Sequence, residues 1–134
     1  ELLEGNGILI VFQAVIALSV LKVWLINFNI PTRWRGGNAM SMREEFEAYG
    51  LPDWFLYMVG FLKVAFSFGL LAGIWFPELV VISAAGIAFF MFFAILMHIK
   101  LKDSIVKSIP AITFLILSIL NLIALYCLCS VSNV

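Results

Sequence analysis

An all-α membrane protein is the fold class this sequence predicts: a bundle of four transmembrane helices with a short interfacial helix in the first loop. Three observations carry that reading. The chain of 134 residues is 64% hydrophobic and 12% charged, with a mean hydropathy of +1.13, whereas about a quarter of the residues in a soluble domain are charged. Its apolar residues gather into four runs, roughly 8–28, 54–76, 79–98 and 109–128, each close to the ~20 residues that cross a hydrocarbon core about 30 Å thick. The alternation of a membrane β-barrel is absent, so helices, which satisfy their backbone groups internally, are expected. One domain fills residues 1–134.

The first run lacks the basic leader and A-x-A site of a signal peptide and carries Lys22 within its apolar stretch, which favours a membrane span. The chain opens at Glu1 rather than methionine, which leaves room for preceding residues. The connection that follows, 29–53, is too long to be a tether alone. Its "SMREEFEAYG" segment starts at Ser41 as N-cap, has Glu44 three residues on as a capping box, and stops at Gly50, which predicts a short helix over 41–49. Met42, Phe46 and Tyr49 form a stripe at i, i+4 and i+7. That stripe suits either the membrane interface or a seal over the mouth of the bundle. Trp34 lies between Arg33 and Arg35, and Trp54 opens the second span, both at headgroup level.

Only Pro77-Glu78 separates the second and third spans, which makes them antiparallel neighbours. Arg33, Arg35 and Arg43 fall in the first loop and Lys100, Lys102 and Lys107 in the third, while the other loop and both terminal segments have no Lys or Arg. The positive-inside rule therefore puts these loops in the cytoplasm, with both termini outside; a bacterial inner membrane is the expected setting.

Inside the spans the polar residues are few. Lys22 lies about 9 Å from its helix end, within snorkelling reach, whereas Lys63 lies roughly 13 Å deep, where a lysine is expected to face protein or water. Gly60, Lys63 and Ser67 share one side of the second span, and Ala65, Gly69 and Gly73 lie on nearly the opposite one. The Gly69–Gly73 pair is a GxxxG that suits either packing within the bundle or a homo-oligomer contact. His98 ends the third span and Asn121 sits mid-membrane in the fourth. Lys22, Lys63, Ser67, His98 and Asn121 are thus candidates to line one pocket in the cytoplasmic half. The spans hold no carboxylate, so the lysines pair with loop carboxylates, with helix carbonyls, or with a ligand such as an anion, a phospholipid headgroup or a quinone carbonyl. Cys127 and Cys129 point about 200° apart on a helix and read as small apolar residues rather than a redox pair. One His and two distant Cys do not make a metal site, and no catalytic motif or basic nucleic-acid surface is present.

In order, Lys22, "AYGLPDW" (48–54), "VGFLKVAFSFGLLAGIWFP" (59–77), "AAGIAFFMFFAILMHIKLKD" (84–103) and Pro110 resemble the DoxX-like family of small four-helix membrane proteins. The "GLP-W" entry, the "G-x-L-K" turn and the run Met91, Ala94, His98 followed by Lys102-Asp103 carry the resemblance. Many relatives hold an acidic residue where this chain has Lys63, while others in the DoxX-like group have lysine, so a mechanism built on a carboxylate there does not transfer. The family implies several roles: a subunit beside thiosulfate:quinone oxidoreductases, components of oxidative-stress defence, and helpers of receptor assembly. It implies no catalytic residue set. Two functional expectations follow: an accessory or assembly subunit of a redox or envelope-stress system with a protein partner in the membrane, or a quinone- or lipid-binding oxidoreductase component. A small-molecule transporter is the third, and no broken-helix signature supports it.

Overall fold

The protein is described from a computed structural model, over residues 2–132 for the backbone and 7–127 for the side chains. Helix α1 (Leu2–Leu21) runs into a π-helical turn over Lys22–Ile26. A short α2 (Met42–Ala48) lies in the first loop, α3 (Asp53–Ala72) and α4 (Glu78–Lys100) form a hairpin, and a 3-10 turn (Ile105–Ser108) leads into α5 (Ile109–Ser132). No strand occurs among the described residues. Four stretches, Gly7–Ile26, Asp53–Ala72, Glu78–Lys100 and Ile105–Cys127, are long and apolar enough to cross a bilayer, and the protein is an integral membrane protein. Cys127 is a free, exposed cysteine; the side chain of Cys129 lies outside the described residues.

The helices pack in a ring in which α1 touches α3 and α5, and α4 touches α3 and α5. Ile16, Leu56, Leu70 and Ile87 are fully buried at the centre, while Phe61, Trp75 and Phe89 point outward, as expected where lipid replaces water as the solvent for the outer face. The second apolar run extends to residue 76, but α3 stops at Ala72 and 73–77 make the turn. There Gly73, Trp75 and Phe76 donate to carbonyls three or four residues back, and Pro77 begins the return.

Close approach of α3 and α4 depends on small residues. A Cβ on Gly69 would strike Ser83 and one on Gly73 would strike Val80, so these glycines serve the contact inside the bundle. Ala65, read from the sequence as part of the same face, is exposed. Each step of four residues turns the helix by about 40°, so two steps carry Ala65 out of the interface.

The seven-residue α2 forms as its sequence predicts. Ser41 Oγ accepts from the Glu44 backbone N–H at 3.2 Å, the N-cap the sequence predicts, and the Glu44 carboxylate turns to the Ser41 hydroxyl at 3.4 Å rather than to its backbone N–H, so the cap is one-sided. At the other end Gly50 takes φ +80, and the Leu51 and Gly50 N–H groups donate to the Phe46 and Glu47 carbonyls, the paired closure that a left-handed glycine permits. Met42, Phe46 and Tyr49 are all buried. The stripe therefore faces the bundle, and α2 lies across its mouth.

Candidate functional site

At the end of the bundle that carries both basic loops, a half-open cavity of ≈ 470 Å³ is lined by α1, α3, α4 and α5 and by α2 across its mouth. Its size falls in the range of small-molecule sites. The floor and walls are aromatic and thioether: Trp24, Phe90, Phe93 and Phe114 with Met91 and Met97. The polar residues on it are Lys22, Arg35, Glu45, Lys63, His98 and Lys107, with Ser19, Asn27, Thr32 and Tyr49.

The π turn sets one wall. Closing an i to i+5 ring, with Asn27 N–H donating to the Lys22 carbonyl at 2.8 Å, inserts an extra residue into the last turn of the first span, a distortion common at functional sites. Trp24 is turned inward and buried, while Lys22 stays exposed at the rim. The Trp24 ring occupies the space left by Gly60 of α3, where a Cβ would come within 2.7 Å of it, and it meets Phe46 of α2 edge-on at 6.0 Å.

Beyond the helix end the chain turns through residues 27–30, and Arg35 ties that turn down. Its Nη2 donates to Asn27 O at 2.5 Å and to Ile30 O at 3.0 Å, and its Nε donates to Ile30 O at 3.1 Å. The remaining Nη1 makes an ion pair with Glu45 at 3.0 Å, whose other oxygen accepts from the Tyr49 hydroxyl at 2.6 Å. One buried guanidinium thus joins the end of the first span to the lid.

A second knot joins the two loops. Lys102 takes a left-handed φ of 57, which turns the chain so that Asp103 lies back against α4. Its carboxylate accepts from His98 Nδ1 at 2.8 Å and from the Gly37 N–H at 3.0 Å, with Lys107 3.8 Å away. Burial works to raise its pKa, but His98, the Gly37 amide and Lys107 outweigh it and hold the carboxyl below the usual range. Lys107 also donates to Gly37 O at 2.6 Å, and Lys100 to Tyr49 O at 2.7 Å. With Nδ1 donating, His98 keeps Nε2 unbonded among the described residues, and the residue lines the cavity.

Tyr49 gives this end of the molecule a pH signature. Burial first, and then the negative Glu45 beside it, push the phenol well above its ordinary value. Above pH 10 the unfolded chain loses the phenolic proton while the folded chain keeps it, so stability is present below pH 10 and falls by about 1.4 kcal/mol per pH unit above it. Alkaline unfolding curves should show this slope, and Tyr49→Phe should flatten it; a variant with the wild-type slope would place the effect elsewhere.

Lys63 stands apart from these networks. It is half-buried, and it lines the cavity. Among the described residues no carboxylate lies within ion-pair distance of it. Its ammonium is 5.5 Å from the Trp24 ring centre and 6.0 Å from that of Phe90, contacts that offset part of a charge but accept no proton.

Of the residues proposed from the sequence, Lys22, Lys63 and His98 come together on the cavity, as do Trp34, Phe46 and Tyr49. Trp34 also carries Arg33 over its ring at 4.6 Å. Trp54 is on the outer surface. Ser67 lies below the cavity, donating to the Lys63 carbonyl at 2.8 Å. Asn121 is buried deeper in the bundle, off the cavity, and with Ser118 has polar atoms without a partner in the described structure. Arg35, Glu45 and Asp103, which build the site, stand in the sequence only as loop charges.

A family model described as the DoxX-like family matches residues 34–120. The match takes in the lid, the Arg35 and Asp103 knots, Lys63 and His98, and leaves out Lys22 and Asn121. No curated protein matches, and no solved structure does.

Proposed function

The chain belongs to the DoxX-like family, and from that membership and the cavity we propose that it is an integral-membrane accessory component that holds a small amphipathic ligand, a quinone or a lipid, at the basic end of its bundle. Redox or envelope-stress chemistry would then be done by a partner in the same membrane, a bacterial inner membrane with the basic loops in the cytoplasm. The observation that carries this reading is Lys63, a cation turned into a lined cavity with no acceptor of its own. Intramembrane charges face the bundle interior or a cavity, and those without a partner in the protein mark substrate or ion sites. The neighbouring His98, with one ring nitrogen fixed by Asp103, supports the same use, since a fixed tautomer presents a defined donor or acceptor to a bound molecule.

Native mass spectrometry of gently solubilised protein tests the proposal. Wild type is expected to retain a small molecule that Lys63→Met loses, with the helical content unchanged. Identical spectra without any adduct would remove the ligand and direct attention to protein partners.

A further inference from the structure

The polar groups around the cavity divide into those already satisfied and those that are not. Glu45 is held by Arg35 and Tyr49, and Asp103 by His98 and Gly37. The cations Arg35 and Lys107 are likewise engaged, by carbonyls and by these carboxylates. What remains is Lys63 inside the cavity and Lys22 at its rim, two positive charges that no described side chain neutralises. A neutral carbonyl would accept one hydrogen bond from Lys63 and leave its charge uncompensated in the membrane, where such a charge is costly. An anion would do both, adding charge compensation to the charge-assisted hydrogen bond that the ammonium donates.

Resting on the ligand-binding reading above, we infer that the cavity's ligand is a chain-bearing amphiphile with an anionic oxygen head, a carboxylate or a phosphate, seated against Lys63 with its chain among the aromatic and methionine side chains. The proportions of the walls fit that division. Phe90, Met91 and Phe114 offer apolar surface and no acceptor. Lys22 at the rim and Lys63 within both line the cavity, and the one carboxylate on its lining, Glu45, is already paired with Arg35.

The test uses purified full-length protein in nanodiscs of zwitterionic lipid, with saturation binding of palmitate, hexadecyl phosphate and methyl palmitate. The ester keeps the chain and removes the charge. Wild type should bind at least one of the anions about tenfold more tightly than the ester, and the tighter of the two identifies the head. Lys63→Met should abolish the preference and Lys63→Arg should keep it, which separates charge from fold. Equal binding of ester and anions overturns the inference but leaves a ligand-binding protein. So does retention of a neutral quinone with no binding of either anion. If Lys63→Met still prefers the anions, Lys63 is not the contact and the inference fails. No binding of any probe, with no retained adduct, overturns this inference and the ligand-binding reading together.

Discussion

Replacing Arg35 with methionine is expected to cost about 3–5 kcal/mol of folding stability, the range found when one partner of a buried ion pair is removed. The size follows from what the guanidinium holds. It is 4% exposed, donates to the Asn27 and Ile30 carbonyls at the end of the first span, and neutralises Glu45. Its loss leaves a carboxylate beneath the lid without its cation, and the Ile30 carbonyl in the turn after the first span without the donors Arg35 gives it. Stability in mild detergent, followed by denaturant-induced loss of helical signal, measures it. The double variant Arg35→Met with Glu45→Gln should recover part of the loss, because it removes the stranded charge though not the stranded Ile30 carbonyl. A change below about 1 kcal/mol in the single variant would mean that Arg35 behaves as an exposed pair and that the lid is not fastened there.

This residue also shows where sequence reading reaches its limit. Four spans, a tight turn at Pro77 between α3 and α4, and a capped helix in the first loop are legible because each rests on local information: run length, a proline, and the Ser41–Glu44 cap; that the turn takes five residues, 73–77, rather than two is not. The facing of the Met42, Phe46 and Tyr49 stripe is not, since interface and bundle offer the same apolar surroundings to a helix in that loop. Arg35 reads as one of six basic residues marking a side of the membrane. Its second role depends on where the first helix stops, and nothing in the residues 22–26 announces a π turn. Asp103 poses the same difficulty. Its partners include Gly37, 66 positions away, and a backbone amide leaves no trace in a sequence.

The candidate pocket was partly legible for the same reason. Helical spacing puts Gly60, Lys63 and Ser67 on one side of α3, and all three do face inward. Spacing does not give the depth at which a cavity closes. It closes above Ser67, and on α5 its lining reaches only Phe114, about 10 Å short of Asn121 at 1.5 Å per residue. Lys63 was the residue whose depth alone set it apart, and the structure leaves it without a partner.

Lys63→Met is therefore expected to stabilise the ligand-free protein, by about 1–3 kcal/mol, within what replacement of buried charge by a well-packed apolar side chain can gain. The sign is the informative part. A lysine serving the fold is held by an acceptor, and truncating it strands that acceptor and weakens the structure. Here no acceptor among the described residues would be stranded, the stem is replaced by a chain of similar length, and the thioether keeps contact with Trp24 and Phe90. Only the two cation–π contacts are lost, worth about 0.5–2 kcal/mol, against a few kcal/mol for a charge in the membrane. Unfolding of delipidated wild type and variant in the same detergent measures the difference, and a less stable variant would identify Lys63 as a structural residue. Adding ligand should move the order towards wild type. Wild type then gains RT ln(1 + [L]/Kd), about 2.7 kcal/mol at a hundredfold excess over Kd, and the variant, which binds about tenfold more weakly, gains about half of that. A residue that weakens the empty protein and gains more than its replacement from occupancy is held there by its ligand, and that ligand-dependent shift is what a purely structural lysine cannot produce.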